Sequence, residues 1–261
     1  MRALAIHEDL VVVVSAIWQT TCTLVRAGDE GFAIDSPVLP DELDALPSLA
    51  SEAGFPVSGL LATHADWDHL LGRLAFPEAE LGLGSASAER LAREPGAAQR
   101  RLREFDEEHY IAGRRALQLR GGQVLPVPGR LSLGSGAPVE REIELHATGG
   151  HTADGVAFWL PWLGVLVCGD YLSPVEIPMI SEGGSLAEYL VTLERLDGLL
   201  EGAETVVPGH GEPLAADEAR RVLDEDRAYV RALLGGEDPS LPEGRRSARQ
   251  RAIHADNLAR R

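Results

Sequence analysis

Thr63-His64-Ala65-Asp66-Trp67-Asp68-His69 sets four metal-ligating side chains, His64, Asp66, Asp68 and His69, directly behind the apolar residues Val57, Leu60, Leu61 and Ala62. An apolar run of that length reads as a buried strand, and the ligands then occupy the loop at its C-terminal end, where open sheets place their sites. Imidazole and carboxylate together suit zinc, iron or manganese. Two cations need more donors than this segment offers, so the rest must come from elsewhere in the chain.

Three further segments offer them. Gly149-Gly150-His151-Thr152 follows the β-rich residues 142–147, Cys168-Gly169-Asp170 closes the strand-like run 164–167, and Pro208-Gly209-His210-Gly211 follows Thr205-Val206-Val207. Each presents one His or Asp beside glycine, which lets the backbone turn sharply and a ligand approach closely. A single buried histidine is ordinarily a hydrogen-bonded core residue. Four short strands delivering ligands to one rim outweigh that reading for the set. The other histidines lack the context: His7, His109 and His254 read as surface residues, and His146 as a strand residue in the core or at an edge.

The succession resembles the metallo-β-lactamase superfamily, with its H-x-H-x-D-H segment, a His in a G-H-T turn, an Asp in a G-D turn and a His in a G-H-G turn. The resemblance spans residues 10–235. It implies an α/β chain folded as a four-layer αββα sandwich that holds two divalent metal ions, zinc foremost. His64, Asp66 and His151 would hold the first, Asp68, His69 and His210 the second, and Asp170 would bridge both. The chain departs from the pattern at one position: the second His of the motif is Asp66. Some members, including the diiron flavodiiron branch with its Glu, carry a carboxylate there. A harder oxygen ligand shifts preference toward iron or manganese.

The same resemblance implies a metal-dependent hydrolase whose metal-bridging hydroxide attacks a small ester, thioester, lactone or phosphoester. Asp68 would ligate and orient the attacking water. Tyr171 would donate a hydrogen bond on the oxyanion side, with simple packing at the strand end as the alternative. Ile177, Pro178, Met179 and Ile180 would line the substrate pocket. Asp35 resembles a family position that supports the metal loop from outside the ligand set. Two other readings stay open: a non-haem iron oxidoreductase of the same fold, motivated by Asp66, and a catalytically degenerate metal-binding module.

Composition narrows the field. At 261 residues the chain can bury a sizeable core, and its formal charge of −17 argues against a nucleic-acid partner. Arginine supplies every basic side chain; the absence of lysine removes Schiff-base chemistry, the P-loop lysine and the S-x-x-K hydrolases. No G-x-S-x-G elbow is present, and the isolated Cys22 and Cys168 suggest neither a disulfide nor a thiolate metal site. The N-terminal residues 1–15 fit a first strand rather than a signal peptide, and no apolar stretch approaches a membrane span. A cytoplasmic protein with a small-molecule substrate, no membrane partner and possible homodimer formation is the expectation. Hydrolysis of β-lactams is not, because an export signal is lacking and the fold name says little about substrate.

Strands are expected at 10–15, 21–27 and 31–34, with a hairpin turn at Ala27-Gly28-Asp29-Glu30-Gly31. A helix at 40–53 follows, with Leu43, Leu46 and Leu49 on one face and Gly54 as its stop. A second hairpin joins 155–160 to 164–168. Ser185-Leu186-Ala187-Glu188 reads as a capping box opening a helix that buries Tyr189, Leu190, Leu193, Leu196 and Leu200. Residues 86–120, rich in Arg and Glu, read as one or two amphipathic helices over the sandwich, with a substrate-covering role open for Phe105, His109 or Tyr110. Residues 1–236 are assigned to the catalytic fold. Residues 237–261, with Arg245, Arg246, Arg249, Arg251 and the closing pair, form a basic C-terminal helical extension packed on the same domain.

Overall fold

The computed structural model describes residues 1–119, 122–133 and 141–261. The first half of the chain runs β1 Arg2–His7, β2 Leu10–Val14, β3 Thr21–Ala27, β4 Glu30–Asp35, α1 Pro40–Glu52, β5 Val57–Ala62, α2 Gly72–Ala75, β6 Glu80–Gly84, α3 Ser85–Arg93 and α4 Ala97–Glu108. The second half runs β7 Gln123–Leu125, β8 Gly129–Leu133, β9 Arg141–Ala147, β10 Val156–Leu160, β11 Val165–Gly169, α5 Leu186–Leu200, β12 Thr205–Pro208, β13 Leu214–Ala215, α6 Ala216–Leu234 and α7 Ala248–Arg260.

β1 to β7 form one sheet in sequence order, antiparallel up to β4 and parallel from β4 to β7. The second sheet runs β13-β12-β11-β10-β9-β8, with a parallel pair at β11 and β12. Alternate residues of a strand enter different layers, as the period of two requires. Val11 and Val13 of β2 pack under Leu43 and Leu46 of α1 and Leu102 of α4, while Leu10, Val12 and Val14 face the other sheet. In β11, Val165 and Val167 face β2 and β3, and Leu166 and Cys168 face Leu193 and Leu196 of α5 and Val222 of α6. Three apolar layers between helices, sheet, sheet and helices make the αββα sandwich expected.

The two sheets are tied at one end. The Val156 N–H donates to the Thr63 carbonyl at 2.7 Å, and the Thr21 N–H donates to the Gly209 carbonyl at 2.8 Å. The expected helix over 40–53 and both expected hairpins are present, and Ser185 caps α5 by accepting the Glu188 N–H. The single N-terminal strand anticipated for residues 1–15 is instead a hairpin, β1 and β2, turning at Glu8 and Asp9. Exposed at all but one residue, β1 has little apolar periodicity to announce it. In the Arg/Glu-rich segment, α4 buries Leu102 and Phe105 and leaves Arg101, Arg103 and Glu104 in solvent; Arg120, its last residue, lies outside the described residues. α7 places Ile253 in the same apolar layer as α5 and α6. Among the described residues, no helix is long and apolar enough to cross a membrane.

Candidate metal centre

β5, β9, β11 and β12 end on the rim where the sheets are tied, and each continues into one of the four ligand-bearing turns. Two glycines make the convergence possible. Gly150 has φ +124°, and a Cβ there would lie 2.4 Å from the backbone of Tyr189. At Gly209 a Cβ would lie 2.2 Å from Oδ1 of Asp170. The glycine turn and the carboxylate therefore occupy one space.

Every histidine of the set is held through Nδ1, so that Nε2 points inward. His69 Nδ1 meets Oδ2 of Asp35 at 2.9 Å, His151 Nδ1 the Met179 carbonyl at 2.8 Å, and His210 Nδ1 the Trp18 carbonyl at 3.0 Å. His64 Nδ1 lies 3.1 Å from the Thr63 hydroxyl. Such outer bonds fix tautomer and ring orientation in metal sites.

The inward atoms form two overlapping groups around Asp170. Its Oδ2 lies 3.2 Å from His151 Nε2, 3.5 Å from His210 Nε2 and 3.8 Å from His64 Nε2, and its Oδ1 lies 3.2 Å from His69 Nε2. Asp66 Oδ2 is 3.7 Å from His64 Nε2 and 3.6 Å from His151 Nε2. Asp68 Oδ2 is 3.9 Å from His69 Nε2 and 3.8 Å from His210 Nε2. Donors held at roughly 2.0–2.2 Å from one ion stand about 3–3.5 Å apart, close to these separations. The structure thus brings together all seven residues singled out in the sequence, grouped as His64, Asp66 and His151, as Asp68, His69 and His210, and as His64, His69 and Asp170.

Nε2 of His64, His69 and His151 and Oδ1 of Asp170 are buried with no hydrogen-bond partner. Buried polar atoms are rarely left so. A divalent cation on either side of Asp170 would satisfy them, so the donor set fits such ions. The electrostatics agree. Burial opposes charge on Asp170, but His210, His69, His151 and His64 prevail and hold its carboxyl well below the ordinary range. Burial likewise opposes charge on Asp66, yet His151 and His64 keep its carboxyl low. Burial works against protonation of the rings, but Asp170 and Asp66 raise His151 to about 9, and Glu176, Asp170 and Asp68 raise His210 to about 9. His69, against Asp35, Asp170 and Asp68, rises well above the usual histidine value despite its burial. The cluster calls for positive charge, which protons or cations can supply.

Several expectations change at close range. Tyr171 is buried, and its hydroxyl accepts the His151 N–H at 2.9 Å while donating to the Gly149 carbonyl at 2.8 Å. Its one proton is committed to the turn carrying His151, so it braces that turn instead of facing substrate as an oxyanion donor. Ile180 enters the core beneath α5, whereas Ile177, in the same layer, lines with Met179 a small enclosed space beside Asp170 and His210. Phe105 is buried in an aromatic group with Trp18 and Trp67, His109 stacks on it at 4.1 Å, and Tyr110 points away, 95% exposed. His254 is half-buried against Tyr229 rather than free on the surface. Cys168 is buried with its thiol pushed up by burial, as inert packing requires.

Other contributors went unread in the sequence. Asp154 accepts the Ala65 N–H at 2.8 Å, and Arg90 bridges Asp154 and Asp66. The segment Leu172 to Ile180 is gripped by the C-terminal region. Asn257 accepts the Ile180 N–H at 3.0 Å and donates to the Pro178 carbonyl at 2.6 Å, and Gln250 accepts the Ile177 N–H at 2.7 Å. Buried Arg245 pairs with Asp226 at 2.5 Å and donates to the Glu176 carbonyl. Trp18 and Gln19, at φ +54° and +53°, hold a conformation uncommon for bulky residues, and their carbonyls receive His210 Nδ1 and the Gly211 N–H.

The family sequence model described as the metallo-beta-lactamase superfamily matches residues 16–210. A metallo-beta-lactamase family protein from Thermus thermophilus is similar over 98% of this chain and 92% of its own, at 22% identity and a TM-score of 0.71. The DIM-1 metallo-beta-lactamase is similar over 88% of this chain and 96% of its own, at 16% identity and a TM-score of 0.62. The stereoselective inverting sec-alkylsulfatase Pisa1 from Pseudomonas sp. is similar over 88% of this chain and 42% of its own, at 14% identity and a TM-score of 0.68. At these identities the likeness is one of fold. Among curated proteins no match was found.

Proposed function

The chain belongs to the metallo-β-lactamase superfamily, and on that premise we propose that it is a two-cation hydrolase of small esters, thioesters, lactones or phosphoesters. The observation that carries this reading is the set of inward, buried and unpartnered atoms: Nε2 of His64, His69 and His151, and Oδ1 of Asp170. A structural role would have paired them. Neighbours of the same fold bear hydrolase names, a β-lactamase and an alkylsulfatase, which supports the reaction class and leaves the substrate open.

His64, Asp66 and His151 would hold the first cation, Asp68, His69 and His210 the second, with Asp170 shared by both. When bound, such cations lower the pKa of a water toward about 7 and polarise the substrate's carbonyl or phosphoryl oxygen. Asp68 orients the attacking water and takes up its proton. Half-buried Trp18 and Trp67, 5.7 Å apart, flank the ligand turns and offer an apolar wall to the substrate's non-reacting part. Zinc is the proposed metal, with iron or manganese favoured to the extent that the oxygen of Asp66 governs the choice.

A panel of thioesters, lactones, aryl esters and phosphodiesters, assayed with zinc, manganese and iron, tests the proposal. Asp170→Ala and His151→Ala should remove several orders of magnitude of kcat with the fold intact. Turnover that depends on oxygen or sulfur, with no hydrolysis of any panel member, would favour the iron oxidoreductase instead.

A further inference from the structure

Asp66 is the position where this chain departs from the family motif, and the structure gives that carboxylate a partner. Arg90, on α3, sets Nη2 2.6 Å from Asp66 Oδ1 and Nη1 2.9 Å from Asp154 Oδ1. Asp154 is buried and fixed in turn, its Oδ2 accepting the Ala65 N–H at 2.8 Å and the Ser87 hydroxyl at 2.9 Å. The guanidinium is thus anchored from behind on an acid that also grips the ligand turn. Its forward arm occupies one oxygen of Asp66. The other oxygen, Oδ2, faces Nε2 of His64 and His151.

We propose that Arg90 is a positioning residue that restricts Asp66 to one-oxygen donation and so keeps the first cation's shell as small as a histidine there would. The inference rests on the two-cation reading. A free carboxylate can chelate through both oxygens, which raises coordination number and suits manganese, whereas zinc prefers four donors. To turn both oxygens inward, Asp66 would have to break a short, charge-assisted bond to a planar guanidinium that Asp154 holds in place. Arg90 and Asp66 are each only 24% exposed, so solvent screens their pair less than an open surface pair. The oxygen donor that would draw the site toward manganese or iron is presented with the denticity of an imidazole.

The test is competitive loading of zinc against manganese, with the cobalt(II) absorption spectrum as an independent readout of coordination number. It compares the full-length protein with Arg90→Met and Arg90→Lys, and repeats both in the Asp66→His background. Arg90→Met should shift the zinc-to-manganese ratio toward manganese by about tenfold, the lower end for an outer-shell change at a metal site. It should also weaken the cobalt absorption as the shell expands. Arg90→Lys, which keeps the charge but cannot fork, should shift the ratio the same way by less. In the Asp66→His background neither substitution should move it. An unchanged ratio with Asp66 present would overturn the inference. So would an equal shift in the Asp66→His background, because the effect would then run through Asp154. Failure of the unmodified protein to bind any divalent cation would instead overturn the two-cation reading.

Discussion

Asp35 and His69 form a buried pair in which Oδ2 of the acid lies 2.9 Å from the ring's Nδ1, while Oδ1 accepts the Thr63 N–H at 2.8 Å. One carboxylate therefore sets both the end of β5 and the ring six residues further on. Asp35 does so from φ +59°, a left-handed conformation uncommon outside glycine and tolerated by Asp and Asn. Asp35→Asn preserves the backbone and the acceptor for the Thr63 N–H, but replaces the Oδ2 shared by His69 and the Thr63 hydroxyl with an uncharged amino group. The affinity of the second cation should fall by about 10–100-fold, measured by chelator competition, with the first cation far less affected. Equal affinity in the two proteins would show that His69 is oriented by packing alone.

Protons and cations compete for the same rings. His151 and His210 are raised to about 9, so below that pH each carries a proton that a cation must displace. Metal affinity should rise with pH up to about 9 and then level off. Stability of the metal-free protein should run the other way. A folded-state value above the ordinary 6.5 means that the native state holds more protons between 6.5 and about 9. That stabilisation is complete below about 6.5 and is lost as pH climbs through 9. Between about pH 6.5 and 9, Tm should fall with chelator and stay nearly level with saturating metal, whose bound rings carry no proton in either the folded or the unfolded state. Parallel slopes would count against the coupling.

The carbonyl that holds His151 belongs to Met179, and Asn257 clamps the residues on either side of it. Asn257→Ala strands a buried N–H and a buried carbonyl, a loss of about 2–4 kcal/mol if each is worth 1–2. Affinity for the first cation should drop about tenfold as His151 loses its alignment. A lowered Tm with unaltered metal affinity would mean that the helix stabilises the fold without steering the ring.

Asp66→His removes the oxygen donor and should raise zinc affinity relative to manganese and iron in competitive loading. An unchanged preference would show that the donor atom at this position does not tune the metal.

The sandwich was readable because its buried strands are apolar and its turns carry glycine: Val11 to Val14, Val165 to Cys168 and Thr205 to Val207 all lie where the pattern put them. The seven convergent side chains were readable because their types and order have few other uses. The supporting residues were not. Arg90 sits in a helix whose composition suits a solvated face, and Asp154 in a turn where Asp is ordinary. Asn257 lies more than a hundred positions from the histidine it serves. Tyr171 and Ile180 were assigned to the substrate because of their neighbours in sequence, whereas their contacts lie in the turn of His151 and the layer beneath α5. Proximity along the chain locates a side chain on a loop; only the fold tells which way it faces.

The clamp of α7 on the Met179 segment also orders events during synthesis. At a ribosomal rate of about 5–20 residues per second, Asn257 is made roughly 5–20 seconds after His151. Over the last part of that interval, the roughly 2–9 seconds between His210 and Asn257, all seven donors have been made while the ring of His151 still lacks its final alignment. A nascent chain therefore meets cellular cations with a complete set of donors and an unfinished cage. On the two-cation reading, metal captured in that window would be held loosely and would exchange until the helix docks.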